Sequence, residues 1–133
     1  MIFDAVVTML LTSIIFVMEI KYTSFGNHVF AEILADGIII NDTQDALDLM
    51  AETGYNDARC MVITEKNLHP DFFKLYTGLA GEILQKFSNY NFRLAIIGDY
   101  SKTESKSLRD FIYESNKQGR IRFVSSRDEA LKI

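Results

Sequence analysis

Two short apolar runs, RCMVIT at 59–64 and FRLAIIG at 92–98, constrain the fold of this chain more than any other feature. Neither shows the polar alternation of a strand with one wet face, so each predicts a strand covered on both sides. Such strands belong to parallel sheets faced by helices, and helix signals lie on their flanks. NDTQDALDLMAETG carries a start cluster at Asn41 and Asp42, apolar Ala46, Leu47, Leu49 and Met50, and Gly54 as a stop. Pro70 suits a first helical position, and a long helix is expected from there to about Ser88. Ser101 and Glu104 have capping-box spacing ahead of SLRDFIYESNKQ, which stops at Gly119. IRFV (121–124) reads as the last strand, and Ser126 with Glu129 repeats the box before a terminal DEALKI helix. Upstream, IKYTSF and HVFAEIL flank Gly26-Asn27, a hairpin turn pair, and Asp36-Gly37 turns into the short run III at 38–40. A hairpin followed by three strand–helix units predicts one α/β domain, a mixed, partly parallel sheet flanked by helices.

Composition narrows the function classes. Of 133 residues, 48% are hydrophobic and 24% charged, which suits a folded single domain at 18–133 and not disorder. Net charge is −4, so there is no basic footprint and no nucleic-acid partner is expected. Cys60 is the only cysteine; it allows no internal disulfide, reads as a structural thiol, and suits a cytoplasmic protein. His28 and His69 are isolated from it and from each other, so no metal site is expected. No nucleophile-elbow pattern frames any serine, and no catalytic residue or cofactor is expected. The opening MIFDAVVTMLLTSIIFV is apolar, but it is too short to span a membrane, contains Asp4, and lacks the basic n-region of a secretory signal. We expect Met18 to be the native initiator and 1–17 to be an upstream extension. The alternative is an apolar helix or strand docking on the domain or on a second subunit; a membrane anchor ranks behind both.

The stretch TGLAGEILQKF places two glycines in an otherwise amphipathic helix, where each costs about 1 kcal/mol relative to Ala. On a helical wheel Phe72, Phe73, Leu75, Tyr76, Leu79, Ala80, Ile83, Leu84 and Phe87 share the apolar half, and the glycines fall on the polar half. No phosphate loop fits, because the glycines do not precede the helix. Two readings remain: a helix break at Gly78, or a flat strip where something approaches closely. On the second, Thr77, Gly78, Gly81, Glu82 and Lys86 form an interaction surface for a second copy or a protein partner. A competing reading, a small-ligand-binding protein or an enzyme, rests on GDYS, after the second apolar strand, where Asp99 and Ser101 would face the usual ligand edge of an α/β sheet. Ser101 is more simply a helix cap. Asp110 and Glu114, one turn apart beside Arg109, read as a solvated face. Asn116 reads as a helix C-terminal residue or a surface group.

The runs DFFKLYTGLAGEILQKFSNYNFRLAIIGDYS and LRDFIYESNKQGRIRFVSSRDEAL resemble the bacterial family catalogued as domain of unknown function 4180. The resemblance covers about Glu19 to Leu131. It implies no activity and supplies no catalytic residue. The order of elements is also similar to the STAS domains and sporulation anti-sigma factor antagonists, which open on a hairpin and continue in strand–helix units. Their phosphorylated-serine motif is loosely similar to Thr77-Gly78-Leu79, with Tyr76 in place of a serine and no preceding Asp. That resemblance implies modification at Thr77. From the residues as a whole we expect a non-enzymatic regulatory or protein-interaction module, a homodimer or the partner of another protein.

Overall fold

In the computed structural model, residues 5–9 and 16–132 are described. Six strands form one sheet in the order β1-β2-β3-β4-β5-β6. They are β1 Ala5–Met9, β2 Phe16–Phe25, β3 His28–Ala35, β4 Cys60–Thr64, β5 Arg93–Ile97 and β6 Ile121–Val124. The first three pair antiparallel and β3 to β6 pair parallel. Gly26, at φ 64, closes the β2–β3 hairpin on the pair Phe25 and His28; that conformation is open to glycine at little cost. The short run at 38–40 forms no strand, and only Ile40 makes a bridge, to Leu68.

Helices α1 Thr43–Tyr55, α2 Leu79–Asn89 and α3 Lys106–Gln118 connect the parallel strands. Each step moves one strand along the sheet in the same direction, so right-handed crossovers place all three on one face. Their inward residues, among them Ala46, Leu49, Ile83 and Phe87, form one core with Ile20, Ile33, Met61, Ile63, Leu94, Ile96 and Phe123. The opposite face is covered by the four-residue helix α4, Arg127–Ala130. Ala130 and Leu131 pack there on Phe30, Cys60, Val62, Ala95 and Val124. The runs at 59–64 and 92–98 are therefore buried from both sides, as their continuous apolarity requires.

Three expectations need correction. The helix from Pro70 to Ser88 is not continuous: 3-10 turns at Pro70–Phe73 and Leu75–Thr77 precede α2, and Gly78 between them and α2 has φ 83. A right-handed helix cannot pass through that conformation. The capping box at Ser101 does not form; Ser105 caps α3, its hydroxyl accepting from the Leu108 N–H at 3.2 Å. At α4 the Ser126 hydroxyl does accept from the Glu129 N–H (3.1 Å), while the Glu129 carboxylate reaches back to the Ser125 N–H (2.7 Å) rather than to Ser126.

The expectations for residues 1–17 fall largely outside the described residues; within them, Ala5–Met9 runs as a strand on the edge of β2. Among the described residues no helix is long and apolar enough to cross a membrane.

Candidate functional site

The region of the two glycines is the shoulder where the chain leaves β4, makes its 3-10 turns and enters α2. Buried Asn67 fixes its base. Its carboxamide donates to the Ala35 and Gly37 carbonyls (3.0 and 2.9 Å) and accepts from the Thr64 N–H and hydroxyl (2.9 and 3.0 Å). A buried amide with all four bonds made pins the end of β4 to the end of β3. His69 then caps the first 3-10 turn, its Nδ1 accepting from the Asp71 N–H at 3.0 Å. Phe72 is buried in the core and anchors the turn.

Above that base, the break at Gly78 turns Tyr76 outward. The continuous-helix wheel put Tyr76 on the apolar face; its side chain is instead 86% exposed. Thr77 is exposed, and its hydroxyl shares one proton between the Asp71 and Lys74 carbonyls, each at 2.8 Å, while accepting from the Leu79 N–H at 3.3 Å. Gly78 serves as the break between the helical pieces. Gly81 is different. It has ordinary helical backbone, and a Cβ built on it would meet nothing within 4 Å. It leaves a bare spot on the outer face of α2. Glu82, Gln85 and Lys86 continue that face and, with Thr43 at the start of α1, line a shallow groove of about 270 Å³. Glu82 and Lys86 have the spacing of an i,i+4 pair, yet among the described residues neither lies within 4.0 Å of an opposite charge. The structure thus brings Gly81, Glu82 and Lys86 onto one face with Tyr76 and Thr77 at its edge. Tyr76 escaped sequence reasoning, and the only available signal was Gly78 itself.

Asp99 and Ser101 lie where β5 ends, at the expected sheet edge, but they are engaged with each other. The Asp99 carboxylate accepts from the Ser101 N–H (3.1 Å) and hydroxyl (2.7 Å), which holds its pKa below the usual aspartate range. Glu65, at the other side of the same edge, accepts from the Asp99 N–H at 3.0 Å. Gly98 leaves room for this arrangement, because a Cβ would displace the Glu65 carboxylate and lie 2.8 Å from the Tyr100 hydroxyl. Burial, then the Glu65 charge, raises the Tyr100 phenol far above its ordinary value, and it donates to the Ile96 carbonyl at 3.1 Å. These groups close the strand ends on themselves.

The remaining candidates take structural positions. Cys60 is buried and burial pushes its thiol up, the reverse of what a reactive thiolate needs. Asp110 pairs with Lys106 at 2.7 Å, and Arg109 donates to the Thr103 and Glu104 carbonyls. Asn116 accepts from the Phe123 N–H (2.7 Å) and donates to the Phe123 carbonyl (3.2 Å), standing in for a neighbouring strand at the free edge of β6.

A family profile described as domain of unknown function DUF4180 matches residues 25–133. The chain belongs to the DUF4180 family. The DUF4180 match opens at the hairpin turn and takes in the shoulder, α2 and the strand-end loops. A search of the curated proteins finds no match. Among solved structures, one from Shewanella loihica PV-4, described as an uncharacterized protein from the DUF3478 family with a SpoIIAA-like fold, is similar over 91% of this chain and 96% of its own. The identity is 16% and the TM-score 0.45, so no function passes from one to the other.

Proposed function

We propose that this DUF4180 protein is a non-enzymatic, cytoplasmic protein-interaction module whose docking surface is the outer face of α2, and that the surface pairs with a second copy of the chain. The observation that carries the reading is Gly81, a bare helical position with open space where any other residue would place a Cβ. Gly81 is the third residue of α2, where glycine forgoes part of the helix stability that Ala would give, and closeness of a facing backbone offsets that cost. Tyr76 stands exposed at the rim, the residue type enriched at interface centres. The charges favour self-pairing. A two-fold axis across α2 sets the two helices antiparallel, which brings Glu82 of each copy toward Lys86 of the other. Thr77, exposed at the edge, is the position at which added phosphate would place like charge beside Glu82 and weaken the contact.

The test is Gly81→Arg. The expected result is a protein with native circular dichroism that sediments as a monomer at concentrations where the parent chain sediments as a dimer. A parent that stays monomeric at high micromolar concentration, or a dimer that tolerates Gly81→Arg, removes the reading.

A further inference from the structure

A second concave feature lies at the opposite end of the helical layer, where the parallel strands begin. It is a pocket of about 400 Å³ lined by Leu47, Met50 and Gly54 of α1, Arg59 ahead of β4, and Tyr90 and Phe92 between α2 and β5. Its size falls within the range of small-molecule sites. Its floor is apolar: Met50 and Phe92 are both buried core residues presenting one side to the opening. Gly54 keeps it open, since a Cβ there would lie 3.3 Å from the Arg59 Nη1 and 3.7 Å from the Phe92 ring.

The polar feature is Arg59. Its Nη1 donates to the Ala58 and Gly54 carbonyls (2.7 and 3.3 Å), which fixes the guanidinium over the C-terminal turn of α1. Among the described residues it forms no ion pair within 4.0 Å. An anchored guanidinium with donors left over, set beside an apolar floor, matches a ligand with one planar anionic group and a greasy body.

We infer that this pocket binds a small carboxylic acid, aryl or branched aliphatic, with its apolar body against Met50 and Phe92 and its carboxylate on Arg59. The site is separate from the α2 face and does not depend on self-association.

The test is a two-dimensional 15N–1H NMR titration of the whole chain with 3-phenylpropionate, 4-methylpentanoate and 3-methylbutanoate at millimolar concentration. The neutral isostere 3-phenylpropionamide is run beside them. At least one acid is expected to give saturable shifts at the amides of Met50, Gly54, Arg59 and Phe92. The amide should bind about tenfold more weakly, the scale of one charge-assisted contact. Arg59→Met should bring the acid down to the level of the amide while leaving the spectrum otherwise dispersed. Should that variant misfold, Gly54→Ala, which crowds Arg59 and Phe92, is expected to weaken acid and amide together. No saturable shifts with any of the three acids, equal binding of acid and amide, or shifts that saturate elsewhere each overturns the assignment.

Discussion

Glu32 shows how a single side chain ties α4 to the sheet it covers. It sits on β3, almost wholly buried beneath the sheet, and accepts two bonds from Arg127 of α4 (2.6 and 3.0 Å) and one from Thr23 (2.7 Å). The Arg127 bonds, reinforced by Thr23, hold its pKa below the usual 4.5 against the opposing effect of burial. A carboxyl with a depressed folded pKa contributes stability above its unfolded value and loses it as pH falls through the folded one. Glu32→Gln should therefore cost about 1–2 kcal/mol at neutral pH, the scale of a charged hydrogen bond. Urea unfolding should show the gap to the parent narrowing as pH drops below 4.5. A gap that holds constant into acid would contradict this. The pair was not legible in the sequence, because its partners lie 95 residues apart and nothing local marks either one. Gly98 was likewise unreadable as a spacer. Gly98→Ala must push the Glu65 carboxylate off the Asp99 N–H, and should cost about 1 kcal/mol. In a double-mutant cycle with Glu65→Ser most of that cost should vanish.

At the scale of elements, the two glycines of α2 separate cleanly. Gly78 has φ 83 and Gly81 does not, so the same substitution has opposite signs. Gly78→Ala should destabilise by about 1–2 kcal/mol, while Gly81→Ala should stabilise the isolated protomer by about 0.5–1 kcal/mol. Thermal unfolding in dilute solution distinguishes them; equal signs would mean that the 3-10 turns and α2 are not divided at Gly78. Periodicity could not make this distinction. The wheel records which side a residue lies on only while the helix continues, so one left-handed residue invalidated it upstream and sent Tyr76 to solvent. By contrast α1, β4, β5 and β6 were legible, since their turn residues and apolar runs are local signals. Asn116 belongs here too: Asn116→Ala frees both backbone groups of Phe123. It should cost about 1–2 kcal/mol and speed hydrogen exchange at the Phe123 amide, leaving α3 amides little changed.

For the whole molecule, the layout follows from the hairpin and the sequential parallel steps, which put every long helix on one face. That leaves the other face to four residues of α4, an arrangement the sequence did not announce because so short a helix carries almost no periodicity. The outer face of α2, in turn, is the side of the helical layer away from the core. Its charges provide the most direct test of self-association. Glu82→Lys alone, or Lys86→Glu alone, would set like charges against each other across an antiparallel pair; the double swap restores opposite charges. Sedimentation equilibrium at low salt should show each single variant dissociating at least about tenfold more readily than the parent, with the double variant returning toward the parent value. Single variants that associate as the parent does, or a double variant no better than either single one, would contradict pairing through α2.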